Sequence, residues 1–125
     1  MYKGGENMEK FKIEKLNNKN EYLILSTSYI SPLDNIFSLQ DSLIKLGCKG
    51  KIYIDLLLCN GLDDNRYFET DFDGEKIDLR KITICSNIKE EVKSVSRKFY
   101  KENNNLLSKS ILPKAHCYII MNGLI

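Results

Sequence analysis

The chain has 125 residues, 42% of them hydrophobic, a size that fits one domain with a continuous core and argues against two independent domains. It contains no run of about 18 apolar residues, and its first residues alternate charge and polarity, so we expect neither a membrane span nor a secretory signal and place the protein in the cytosol. The net charge of +2 is unevenly spread: residues 55–78 carry 2 basic and 8 acidic groups (−6), and residues 79–125 carry 9 basic and 3 acidic groups (+6).

Taken in chain order, the sequence predicts one folded unit. Residues 1–9 are polar and contain two glycines, so we expect a flexible N-terminus before a single domain at 10–125. Apolar periodicity then predicts two strands, a helix, three strands, a second helix and a last strand at 115–121. This order predicts an α+β fold, with an antiparallel or mixed sheet of about five to six strands and both helices packed on one face.

Both helices carry recognisable start and stop signals. Ser31 can cap the first helix, Pro32 fits its first turn, and Gly47 should end it. The apolar stripe expected to face the sheet consists of Leu33, Ile36, Phe37, Leu43 and Ile44. Asn87, with Glu90 three positions later, should start the second helix. Its predicted stripe is Ile88, Val92, Val95 and Phe99.

The strand predicted at 51–58 carries a carboxylate on an otherwise apolar run. Asp55 must therefore find a hydrogen-bond donor or water. The strand stops at Asn60-Gly61, and the following strand at 66–72 alternates Phe68, Thr70 and Phe72 with charged neighbours. A further strand at 75–84 should be broken near Arg80.

Few residues point to catalysis. The four cysteines form no C-x-x-C pair and are interpreted as free thiols. His116 is the single histidine; a Cys59–His116 pair is conceivable, but no local signature supports it. Neither a phosphate-binding loop nor a complete calcium loop is present. We therefore predict no catalytic residues and no cofactor.

Two charged segments leave alternatives open. The carboxylates of the acidic block could converge on Mg²⁺, as in a metal-dependent nuclease. They are Asp55, Glu69, Asp71, Asp73, Glu75 and Asp78. Three of them, Glu69, Asp71 and Asp73, alternate on one strand, which is also what an ordinary solvated face looks like. The basic second helix, with Tyr100, could bind RNA in a small RNA-binding module, although lysines normally occupy the solvent-exposed side of an amphipathic helix.

The segment from Lys51 to Phe68, KIYIDLLLCNGLDDNRYF, combines an internal aspartate in a strand, an Asn-Gly turn and Asn65-Arg66 before two aromatic residues. It resembles the RnlB antitoxin family. The resemblance implies the antitoxin of a type II toxin–antitoxin pair, which binds an RnlA-like endoribonuclease and blocks cleavage of messenger RNA. It implies no catalysis by this chain. We also expect no small-molecule substrate, no membrane association and no direct nucleic-acid binding.

The acidic block suits such a partner, because a surface that attracts RNA is positive and carboxylates would complement it. The expected partner-binding residues are Asp55, Asn60, Gly61, Asp63, Asp64, Asn65, Arg66, Glu69, Asp71 and Asp73. Asn60, Gly61 and Asn65 could instead simply build the loop, with Arg66 paired to Asp55 across the strands.

Overall fold

A computed structural model describes residues 11–18, 20–27, 31–57 and 66–103. The N-terminus predicted to be flexible, the strand predicted at 115–121 and the residues of the conceivable Cys59–His116 pair lie outside these ranges. Among the described residues, no helix is long and apolar enough to cross a membrane.

The described strands form one mixed sheet, arranged in the order in which they occur along the chain. They are β1 (Phe11–Lys15), β2 (Glu21–Ser26), β3 (Gly50–Asp55), β4 (Tyr67–Phe72) and β5 (Thr83–Ile84). Strands β2 and β3 pair in parallel, and the other neighbouring strands are antiparallel. The mixed sheet confirms the predicted α+β class.

Helix α1 (Ile36–Lys45) makes the crossover between the parallel strands, and helix α2 (Glu90–Glu102) follows β5. The predicted start of the first helix is confirmed in part: Ser31 Oγ accepts a hydrogen bond from the Leu33 amide at 3.1 Å, but it caps a 3-10 turn at Pro32–Asn35 that leads into α1. Lys89, and not Asn87, occupies the cap position of α2.

The two helices lie on opposite faces of the sheet, so the predicted packing on one face is wrong. Ile24 belongs to a buried cluster with Leu39 of α1, whereas its neighbour Leu25 belongs to a second cluster with Val92 and Tyr100 of α2. Adjacent residues of a strand point to opposite faces. Strand β2 is buried on both faces, and its nearly inaccessible residues are Tyr22, Leu23, Ile24 and Leu25. Because each apolar face of the strand must be covered, a helix packs on each side of the sheet.

The predicted stripe of α1 is also partly wrong. Leu43 is buried, and Leu33 and Ile36 pack against the same cluster. Phe37 and Ile44 are instead 82% and 44% exposed. The fully buried position missing from the prediction is Leu39, four residues before Leu43. The helix carries apolar residues on more than one side, so spacing alone did not single out the side facing the sheet.

The strand predicted at 75–84 is mostly not a strand. Asp78 caps a 3-10 turn at Leu79–Lys81 by accepting a hydrogen bond from the Arg80 amide, and only Thr83–Ile84 pairs with β4. The break expected near Arg80 is confirmed, but as a turn of helix rather than a bulge.

Candidate partner-binding site

Asp55, the last residue of β3, is fully buried on the face covered by α2, and its carboxylate accepts four hydrogen bonds. Oδ1 accepts from the Leu57 amide at 2.9 Å and from Arg66 Nε at 2.7 Å. Oδ2 accepts from Arg66 Nη2 at 2.6 Å and from Ser96 Oγ at 2.8 Å. Both oxygens are therefore satisfied inside the protein, as a buried charge requires.

Arg66 makes a two-pronged contact with Asp55, which confirms the pairing that the sequence offered as an alternative to partner contact. Its side chain is 12% exposed, and the guanidinium lies 4.8 Å from the ring centre of Tyr67. Burial alone would lower the pKa of Arg66, but the charge and hydrogen bonds of Asp55 raise it above its ordinary value. Arg66 thus stays charged, and it binds Asp55 in the geometry in which arginine and carboxylate bind most strongly.

The hydrogen-bond network continues into β2 and α2. Ser26 Oγ donates to the Asp55 carbonyl oxygen at 3.1 Å, and the hydroxyl of the fully buried Tyr100 donates to the Ser26 carbonyl oxygen at 3.0 Å. Burial raises the pKa of Tyr67 and of Tyr100 well above the ordinary tyrosine value, so both hydroxyls remain protonated. The hydroxyl of Tyr67, beside Asp55 and Ser96, is buried without a hydrogen bond of normal geometry.

These residues stand where the chain leaves β3 and re-enters β4. Asp55 comes shortly before segment 58–65, and Arg66 comes directly after it. The Leu56 amide also donates to the Arg66 carbonyl oxygen at 2.9 Å. The Asp55 network, meaning Asp55, Arg66, Ser96, Ser26 and Tyr100, therefore joins the residues described on either side of segment 58–65. The side chain of Asp55 is fully buried, so it offers no exposed atom for the direct contact expected from the sequence.

The acidic hairpin, meaning β4 and the turn after it, carries the other described carboxylates of the predicted surface. Glu69 is half-buried and pairs with Lys51 at 2.9 Å, which raises the pKa of that lysine. Asp71 and Asp73 are exposed. Asp73 also shapes the turn, because its Oδ1 accepts from the amides of Glu75 and Lys76 at 2.8 and 3.0 Å. These amide hydrogen bonds lower the pKa of Asp73.

The alternation predicted for β4 is present. Phe68 and Phe72 join the cluster under α1, and Glu69 and Asp71 occupy the other face of the strand. Five of the predicted partner-binding residues fall outside the described residues: Asn60, Gly61, Asp63, Asp64 and Asn65. Asp71 and Asp73 are thus exposed where β4 ends beside the start of β3, at the far end of the strand from Arg66.

The described geometry gives little support to the two alternatives. The metal-dependent nuclease would use Asp55, but the four donors on that carboxylate occupy the positions a metal ion would need. Across the described residues, no group of three or more histidine, cysteine or acidic side chains is arranged to hold a metal. The RNA-binding module would need an exposed Tyr100, and this residue is fully buried.

Ser96, which donates a hydrogen bond to Asp55, was not predicted from the sequence. It lies midway between Val92 and Tyr100 at four-residue spacing, so the three residues share one side of α2, and all three are buried. A small hydroxyl residue on an otherwise apolar stripe signals a buried hydrogen-bond acceptor nearby. The buried aspartate of β3 is that acceptor.

Comparison with known proteins connects this architecture to one family. The family model described as the antitoxin to the bacterial toxin RNase LS or RnlA matches residues 21–113. Antitoxin LsoB of Escherichia coli O157:H7 is 28% identical over 121 residues, covering 93% of this chain and 95% of that protein. The family match contains β2 to β5, both helices and every residue of the Asp55 network. The chain therefore belongs to the RnlB antitoxin family.

Proposed function

We propose that this protein is an antitoxin that binds an endoribonuclease toxin of the RNase LS or RnlA type and blocks it by protein–protein contact. The observation that carries the proposal is the family match across residues 21–113. In this account the chain needs no cofactor and catalyses no reaction. It acts in the cytoplasm, where a toxin that cleaves RNA meets its substrate.

Charge supports the choice of contact surface. A ribonuclease must attract a polyanion, so its RNA-binding surface is positive. Residues 55–78 of this chain carry a net charge of −6, and Asp71 and Asp73 are exposed on the acidic hairpin. We propose that segment 58–65, with Asp63 and Asp64, and the acidic hairpin contact the toxin together. The inhibitor then covers the surface that RNA would occupy and speeds its own encounter with the enzyme.

Within this proposal, Asp55 and Arg66 act through the segment that they hold. A contact formed by a segment with fixed ends loses less conformational entropy on binding than one formed by a freely moving chain. The buried pair therefore contributes to affinity by ordering the surface in advance.

Co-expression with the cognate toxin tests the proposal directly. We expect the wild-type chain to restore growth and to co-purify with the toxin. Asp71→Lys should weaken the complex, because it places a cation on the acidic hairpin, whereas Glu102→Lys makes the same charge change at the end of α2 and should not. Absence of both rescue and co-purification would reject the antitoxin function; equal behaviour of the two variants would reject only the acidic hairpin as the interface.

A further inference from the structure

One flank of α1 exposes two large apolar side chains. Phe37 is 82% exposed and Ile44 is 44% exposed. They are seven positions apart and therefore lie on the same side of the helix, two turns from each other. Together with Ser38, Gln40 and Asp41 they line a shallow depression. Single exposed apolar residues are common, but an aromatic side chain beside a second apolar residue in a depression is typical of the anchor points of protein interfaces.

This flank, defined by Phe37, Gln40, Asp41 and Ile44, borders the acidic hairpin. Gln40 Oε1 accepts a hydrogen bond from the Ile77 amide at 2.7 Å, so the turn that precedes Ile77 lies next to the helix. That turn exposes the carboxylates of Asp73 and Glu75. Asp41 adds an exposed carboxylate on the helix itself, although Lys45 pairs with it at 3.3 Å. Lys76 in the same turn is also exposed, so three carboxylates stand against the two lysines Lys45 and Lys76. The apolar pair is thus edged by an excess of negative charge.

The opposite flank of α1 has the same apolar character but different charges. Leu46 is 65% exposed and lines a separate depression together with Lys12, Ile13 and Lys45. It is nine positions from Phe37, which at about 100° per residue places it half a turn away on the other side of the helix. A cationic partner would therefore meet carboxylates at the Phe37 flank and lysines at the Leu46 flank.

We propose that the Phe37 flank is a docking surface for the toxin and receives an apolar side chain that the toxin presents between arginine or lysine residues. The inference rests on the proposed function, which supplies a partner with a cationic surface. Charge complementarity selects this flank over the Leu46 flank. Since the flank adjoins the turn that carries Asp73, one partner can cover the apolar flank and the acidic hairpin together, with an apolar anchor inside a charged rim.

Two matched variants test the surface: Phe37→Ser and Leu46→Ser, which remove an exposed apolar side chain from α1 and from the residue directly after it. The measurement is the dissociation constant of each full-length variant with the purified toxin, with thermal melting as the check on folding. We expect Phe37→Ser to raise the dissociation constant about 10-fold or more and Leu46→Ser to change it less than about twofold. Both melting temperatures should stay close to that of the wild type, because neither side chain is buried.

The outcomes separate the surface from the function. Tight binding by the wild type with equal affinities for the two variants would overturn the Phe37 flank while leaving the antitoxin function in place. A larger loss for Leu46→Ser would overturn it as well. Failure of the wild-type chain to bind the toxin would reject the proposed function, and the docking surface with it.

Discussion

The side chain of Asp55 is fully buried, and four hydrogen-bond donors satisfy its carboxylate. The desolvation of a lone carboxylate would cost several kcal/mol, and the pair with Arg66 and the hydroxyl of Ser96 offsets it. The sequence predicted the need for a donor and identified Arg66, because both residues flank one turn. It did not predict Ser96, which is 41 positions away and reaches Asp55 only through the packing of α2 on the sheet.

Asp55→Asn should destabilise the fold strongly, because it leaves the guanidinium of Arg66 without its countercharge in a nearly dry site. We expect the free energy of unfolding to fall by about 3 kcal/mol, measured by urea denaturation. The control is Asp41→Asn, which breaks the exposed pair with Lys45 and should cost less than about 0.5 kcal/mol. Equal costs for the two variants would show that the Asp55 pair contributes no more than a surface pair.

At the scale of the elements, the sequence predicted most strands and helices but not how they pack. Alternation and capping residues are local signals, and they predicted β1 to β4, the turn at Ser31 and the existence of both helices. The faces of the sheet depend on contacts between distant segments. The side of α1 that faces the sheet could not be predicted from spacing. Leu39 and Leu43 form one apolar side of the helix and Phe37 and Ile44 form another, and only the packing in the fold decides which side is buried. The acidic hairpin was predicted from composition, and the structure confirms the exposure of Asp71 and Asp73.

The parallel pairing of β2 and β3 depends on a close backbone approach at Gly50. This residue has a φ of +135°, and a Cβ built on it would overlap the carbonyl oxygen of Asn20, which accepts a hydrogen bond from the Lys51 amide at 2.9 Å. Gly50→Ala should therefore lower the free energy of unfolding by about 2 to 4 kcal/mol. Gly47→Ala, at a φ of +71° with open space around the Cβ, should cost about 1 kcal/mol.

Urea denaturation of the two glycine variants measures both losses in the free energy of unfolding. The difference between them distinguishes steric overlap at Gly50 from the backbone strain that both variants share. If Gly50→Ala is no more destabilising than Gly47→Ala, the approach of Asn20 does not constrain the start of β3.

At the scale of the whole molecule, the proposed function uses two parts of the fold. The Asp55 network is buried on the α2 face, and the acidic hairpin and the Phe37 flank of α1 expose charged and apolar side chains. An inhibitor of a ribonuclease needs both a rigid support and a surface complementary to a cationic enzyme. Because surface charges are screened by salt, the affinity for the toxin should decrease as the ionic strength rises.

The most direct test of the account is an RNA cleavage assay with the purified toxin, titrated with this chain up to molar excess at fixed ionic strength. If the chain is an antitoxin that inhibits the toxin, cleavage should fall progressively to the level without toxin, while the chain alone should leave the RNA intact in the presence of Mg²⁺. Full cleavage by the toxin in the presence of excess folded chain would contradict the account.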